Sequence, residues 1–245
     1  FELDVTDLVR PGQSNVLALK VRYDAVPDAL ASGSKYAKHP IGGILRGVRL
    51  LALPRVNIAR MHAVTLLDKD YKNATLRVFL TLANESAAEC DAAEAALTLT
   101  DPNGRDVPLK PASMKVSHFK AGTSVELFAD IPVADPAKWE CEHPRLYTLA
   151  AALNVGGKPA ATVRRRVGFR QVEVQGNRLL VNGRPVKLHG VCRHDVHPVL
   201  GRAADPALSR KDVELFRKAN VNHIRTSHYP PDEALLDACD ELGIY

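Results

Sequence analysis

The stretch from Asn220 to Tyr245 constrains the fold more than any other. Val221 and Ile224 give a short apolar strand, which runs out into the polar sequence Arg225-Thr226-Ser227-His228. Pro230 and Pro231 bar further ladder pairing, and Asp232 is placed to cap a helix. Leu235, Leu236, Cys239 and Leu242 recur at helical spacing, Gly243 stands where a left-handed C-cap belongs, and Ile244-Tyr245 opens another strand. A strand–helix–strand unit requires a parallel sheet. It also gathers polar groups at the carboxyl end of a strand, where α/β folds place their chemistry.

The same alternation begins earlier, at Gln171. A hairpin with an Asn182-Gly183 turn is followed by a short strand, Lys187 to Val191, that ends in Cys192-Arg193-His194-Asp195-Val196-His197. Ser209, with Asp212 three residues on, then signals a helix start. Strand, helix, strand, helix and strand in this order predict the opening of a (β/α)8 barrel or of a doubly wound sheet over residues 171–245.

Upstream the period is two. Leu76, Val78, Leu80 and Leu82 alternate with Thr75, Arg77, Phe79 and Thr81, and further strands are predicted over 124–131, 146–153 and 161–167. Residues 55–170 therefore read as a complete immunoglobulin-like sandwich. Residues 1–54 also read as β, with strand-like runs at Phe1 to Thr6, Val16 to Arg22 and Ile41 to Leu50 and a turn at Pro11-Gly12. The chain is thus expected to be multidomain, β plus α/β.

Composition narrows the partners. The net charge of +5 is scattered except for Arg164-Arg165-Arg166, and aromatic residues make up only 5%, so the basic stripe with interleaved rings that nucleic acid requires is missing. The arginine triplet reads as strand-face charge rather than a phosphate patch. No run approaches membrane-span length, which argues against a membrane partner. Cys90, Cys141, Cys192 and Cys239 are too dispersed for a zinc pair or a disulfide framework, and Cys239 falls on the apolar face of the last helix. Trp139 precedes a core strand and reads as packing before it reads as a sugar platform. With no signal-peptide pattern in view a cytoplasmic location comes first, although Phe1 begins inside a strand-like run and leaves secretion open.

The residues Asn222-x-Ile-Arg225-Thr-Ser-His228-Tyr229-Pro230, followed at fixed spacing by Leu235-Leu236, Asp240 and Gly243-Ile244-Tyr245, resemble the signature of glycoside hydrolase family 2, which contains β-galactosidases and β-glucuronidases. Trp139, His143-Pro144 and Leu146-Tyr147 resemble its second domain, and Ile41-Gly-Gly-Ile44 the late part of its N-terminal jelly roll. This likeness implies three parts: residues 1–54 as the end of a sugar-binding jelly roll, 55–170 as the immunoglobulin-like domain, and 171–245 as the first two βα units of the catalytic TIM barrel. It implies retaining hydrolysis of a terminal β-glycoside by two glutamates, both expected beyond Tyr245, so that no catalytic residue lies within this chain and the chain alone is inactive. β-Galactosidase is the first expectation because Gly190 to Pro198 is similar to that enzyme's first barrel loop, with β-glucuronidase and β-mannosidase as alternatives.

Carried over residue by residue, the likeness makes His194 and His228 ligands of sugar hydroxyls, Asp195 a weaker substrate contact, and Arg225 the group that orients the nucleophilic carboxylate. Physical chemistry agrees on type: imidazoles both donate and accept, and a bidentate guanidinium keeps a carboxylate ionised. Cys192 departs from the family's asparagine. His194, Asp195 and His197 together offer nitrogen and oxygen ligands for a metal, though their spacing fits no standard zinc pattern; a second reading is a metal-dependent α/β-barrel hydrolase with His194 and His228 as ligands, and a third a non-catalytic carbohydrate-binding module. No cofactor is expected in this stretch; the likeness implies magnesium and a homo-oligomer only for the complete enzyme.

Overall fold

The computed structural model describes residues 2–21, 43–203, 205–227 and 229–245. The alternation in the middle of the chain becomes a two-sheet sandwich. One sheet has the order β1 (Val56–Leu67), β2 (Ala74–Asn84), β6 (Thr123–Val133). The other runs β4 (Asp106–Val107), β3 (Cys90–Thr100), β7 (Tyr147–Val155), β8 (Lys158–Val167), with β5 (Ser113–Phe119) also on β3. All pairings are antiparallel. Every second residue of β2 is buried because one face of a strand points at the opposite sheet, so Leu76, Val78, Leu80 and Leu82 meet Leu97, Leu99, Leu149 and Leu153 in one core. Burying each such leucine contributes roughly 1.5–3 kcal/mol.

A three-stranded antiparallel sheet follows, β9 (Val172–Gln175), β10 (Arg178–Val181) and β11 (Arg184–Pro185). Its second turn is the expected Asn182-Gly183, both with positive φ, 51° and 74°. Then come β12 (Gly190–Arg193), α1 (Pro206–Lys218), β13 (His223–Thr226) and α2 (Glu233–Leu242), with β12 and β13 parallel and Cys192 opposite Arg225. The backbone of Tyr245 continues the pattern: it donates to the Asn222 carbonyl and accepts from the Ile224 N–H, both at 2.8 Å. Val213 of α1, Ile224 of β13, Leu235 and Ala238 of α2 and Ile244 form a second, smaller core.

Two expectations are corrected. Helix α1 starts a turn before Ser209: Asp205 is the cap, accepting from the Ala207 N–H at 2.8 Å, and Pro206 takes the first turn. An Asp-Pro pair outcompetes Ser209 because proline is already fixed in a helical φ and lacks the N–H that would go unpaired. Ser209 is instead buried against the module. Between residues 2–21 and 43–54, no described residue belongs to a strand, although the turn at Pro11-Gly12 is present. A strand needs a neighbour for its backbone groups, and none of the described residues supplies one, so Leu3, Val16, Leu17 and Leu19 stay exposed. Phe1, residues 22–42 and the Ile41-Gly42 part of the jelly-roll resemblance lie outside the described residues.

The βα module docks on the sandwich through Trp139, which is 1% exposed and so serves as packing. Its indole Nε1 donates to the Asp240 carbonyl at 2.8 Å, and its ring meets Tyr245 edge-on at 5.6 Å. Arg166, from the arginine triplet on β8, pairs with Asp237 at 2.6 Å and with Glu241. Cys239, on the inner face of α2 as expected, has its thiol pushed up to about 11 by burial.

Candidate functional site

Strand alternation sorts the side chains of β12 and β13 between two faces. Ile224 points at the helices, so Arg225 points away from them, and the parallel register brings Cys192 beside it. Arg225 Nη1 donates to Cys192 Sγ at 3.9 Å. That hydrogen bond, seconded by one from Ser227, holds the exposed Cys192 thiol below its ordinary value. Arg225, Thr226, Tyr229 and Pro230 line an open cleft of 410 Å³ at the strand exits. Arg225 therefore lies at the carboxyl end of the parallel strands and on the cleft side.

His194 follows β12 directly, and Tyr229 follows β13. Their rings lie 6.0 Å apart, with the tyrosine hydroxyl 3.4 Å from His194 Nδ1. The same hydroxyl accepts the backbone N–H of Asp195 at 2.8 Å. The hydroxyl thus stands between the Asp195 N–H and the His194 ring and ties the exit of one strand to that of the other. Arg202 stacks over the other side of the system, its guanidinium carbon 4.1 Å from the Tyr229 ring centre. His228 lies outside the described residues.

Asp195 sits elsewhere than a substrate contact would. Its side chain is 5% exposed, and each carboxylate oxygen faces a guanidinium: Oδ1 that of Arg193, Oδ2 that of Arg46 at 2.6 Å. Arg193, itself buried, also donates from Nε to Asp212 of α1 at 2.9 Å. His197 is likewise engaged, Nδ1 accepting from the N–H groups of Val199 at 3.2 Å and Leu200 at 3.1 Å. His194, Asp195 and His197 thus do not converge as a donor set, and among the described residues no three His, Cys, Asp or Glu side chains gather to hold a metal. Sequence reasoning overlooked Arg46, Arg193 and Tyr229. Tyr229 carries a signal, since it sits within the strand-exit motif, but Arg46 stands 149 positions from Asp195 and nothing local marks it.

Known proteins resemble this chain along its whole length. A β-galactosidase of Enterobacter cloacae is 33% identical over 250 residues, covering 100% of this chain and 23% of that protein. A putative β-glucuronidase of Formosa agariphila is 30% identical over 246 residues, again 100% of this chain and 28% of that protein. Among solved structures, a Parabacteroides merdae β-glucuronidase with glycerol in its active site superposes with a TM-score of 0.74 at 26% identity, covering 84% of this chain and 25% of that one. The chain spans about a quarter of the length of the relatives it matches. The model of the family 2 glycosyl hydrolase domain matches residues 56–170, and that of the family's TIM-barrel domain matches residues 172–245. With two domain models of one family end to end, and relatives of that family aligned over every residue, the chain belongs to glycosyl hydrolase family 2.

Proposed function

We propose that this chain is part of a retaining exo-glycosidase that removes terminal β-linked sugars, with β-galactosides as the preferred class. The observation that carries the reading is the placement of Arg225 on the cleft face, in register with Cys192, beside the His194–Tyr229 pair at the neighbouring strand exit. In this reading residues 1–54 end a jelly roll, 55–170 form an immunoglobulin-like domain, and 171–245 open a (β/α)8 barrel.

Arg225 presents a fork of N–H donors that matches a carboxylate. Beside the nucleophile it would hold that group ionised and aimed at the anomeric carbon. His194 would hydrogen-bond a sugar hydroxyl, and His228 would bind a second one. The acid/base and nucleophilic glutamates would stand about 5–5.5 Å apart, as retention demands. Neither Gly190–Arg202 nor Val221–Asp232, the two strand-exit segments here, contains a glutamate, so both come from other strands of the barrel.

The test compares two polypeptides. The 245-residue chain should not hydrolyse nitrophenyl β-galactoside or β-glucuronide above a buffer control. A polypeptide that also carries the rest of the barrel should cleave the galactoside with retained configuration, and inverted product or glucuronide preference would overturn the corresponding part of the reading. β-Glucuronide is the second substrate class, favoured by the likeness to the β-glucuronidases of Parabacteroides and Formosa.

A further inference from the structure

Arg46 belongs to an extended segment before the sandwich, far in sequence from the strand exits, yet its guanidinium reaches both of them. Nη2 donates to Asp195 Oδ2 at 2.6 Å, in the loop after β12. It also approaches the Pro230 carbonyl at 3.4 Å, and Nε lies 3.7 Å from Asp232 Oδ2, in the loop after β13. Asp232 is the N-cap of α2, its Oδ1 accepting from the Ala234 N–H at 2.9 Å. Arg193 completes the arrangement from below, bridging Asp195 to Asp212 of α1.

We propose that Arg46 and Asp195 form a positioning latch that clamps the two strand-exit loops together and fixes the His194–Tyr229 pair. Asp195 is 4% exposed, and its carboxylate is shared by two arginines, so it is in no position to bind a sugar hydroxyl. Its backbone N–H, by contrast, holds the Tyr229 hydroxyl that faces His194. Moving Asp195 therefore moves the Tyr229 hydroxyl that faces His194. A buried carboxylate that loses one of two cationic partners is left undercompensated, so the loop should rearrange rather than tolerate the loss. A site this dependent on orientation needs such a supporting shell. Arg46 and Asp195 are positioning residues, since neither would touch substrate.

The kinetic consequence rests on the proposed glycosidase reading; the latch itself does not, and two measurements separate them. In the 245-residue chain, hydrogen exchange by mass spectrometry should show the bonded amides of residues 194–197 exchanging at least tenfold faster in Asp195→Asn than in the parent. Arg46→Ala should likewise speed exchange over 194–197, with Arg46→Lys intermediate, and Arg77→Ala, which breaks a pair between β2 and β6, should leave that segment unchanged. Arg46 is about one-third exposed, so Arg46→Ala keeps the test open if Asp195→Asn fails to fold. Unchanged exchange over 194–197 in a folded Arg46→Ala protein overturns the latch. In the polypeptide with the rest of the barrel, Arg46→Ala should lower kcat/KM at least tenfold without lowering Tm by more than Arg77→Ala does, and Arg46→Lys should recover part of it. If that polypeptide has no glycosidase activity, the functional reading falls and the exchange result still decides the latch. If exchange responds and kcat/KM does not, the clamp exists but does not position the site, and the proposal is overturned.

Discussion

Gly243→Ala should separate the βα module from the sandwich. Gly243 ends α2 in the left-handed region, φ 75°, with its N–H on the Cys239 carbonyl at 2.9 Å. Alanine in that region costs about 1–2 kcal/mol. A Cβ here would also overlap the backbone oxygen of Cys141 and come within 2.9 Å of its carbonyl carbon. Cys141 follows Trp139 closely and its backbone cannot swing aside like a side chain, so the overlap adds about 1–3 kcal/mol of overpacking. The sum, about 2–5 kcal/mol, falls on an interface that includes the indole hydrogen bond, the edge-on ring contact, the Tyr245 hydroxyl on the Cys141 N–H, and the ion pairs of Arg166 and of Arg217 with Glu142. Gly201→Ala is the control: φ is 61°, in the same module, but nothing lies within 4 Å of its Cβ, so only the backbone cost applies.

The assay is built in, because Trp139 is the sole tryptophan and lies in this interface. Emission of Gly243→Ala should shift to the red as the indole loses the Asp240 carbonyl and the Tyr245 ring. Gly201→Ala should keep the parent's emission and lose less stability in urea. Equal loss in the two variants with unshifted emission would refute the steric argument and leave only the left-handed backbone.

Other predictions concern charge and chemistry at the strand exits. In a polypeptide carrying the complete barrel, Arg225→Ala should lower kcat/KM about 100-fold, and Arg225→Lys should restore little, because an ammonium cannot match a carboxylate fork. His228→Ala should cost about tenfold by the loss of one hydrogen bond to a sugar hydroxyl; unchanged kinetics would remove either residue from the site. Because Arg225 holds the Cys192 thiol below its ordinary value, Arg225→Ala should move the pH midpoint of Cys192 alkylation upward, toward the usual value of about 8.5. Burial raises both Cys239, to about 11, and Tyr245, to about 12, so each favours the folded module while neutral. The stability they lend is complete below pH 9 and is lost as pH rises through 11 to 12, so Trp139 emission should redden there before the sandwich unfolds. Tyr245→Phe should narrow that alkaline response to the Cys239 window.

Legibility followed the range of the forces involved. The β2 alternation, the Asn182-Gly183 turn, the Asp232 cap and the Gly243 C-cap are decided within a few residues, and each occurs as read. The side of the sheet that Arg225 takes is legible for the same reason: once Ile224 faces the helices, parity sends its neighbour to the cleft. The start of α1 was misread because two local signals competed and Asp205-Pro206 is the stronger. The strand-like runs before residue 55 carry the right period, but a period cannot supply a ladder partner. Asp195 shows the limit most plainly. An aspartate after a strand and next to a histidine reads as a site carboxylate, but the buried Arg193 two residues before it and Arg46, 149 positions away, take one oxygen each and hold it inward.

Helix α2 joins these observations into one mechanical argument. Its ten residues span about 15 Å at the usual rise per residue. At the N-terminal end, Asp232 caps the helix and faces Arg46, which clamps the strand exits. Toward the C-terminal end, Asp237, Asp240 and Glu241 bind the sandwich through Arg166 and Trp139, and Gly243 leaves room for the Cys141 backbone. Between them, among the described residues, the helix gives the module's small core two buried side chains, Leu235 and Ala238, with Cys239 and Leu242 partly buried beside them. The helix is thus held more by its two ends than by its middle. It acts as a strut that carries the order of the sandwich core to loops that would otherwise be the most mobile part of the module, which is why a glycine on the sandwich side and an arginine on the cleft side should both alter exchange around His194.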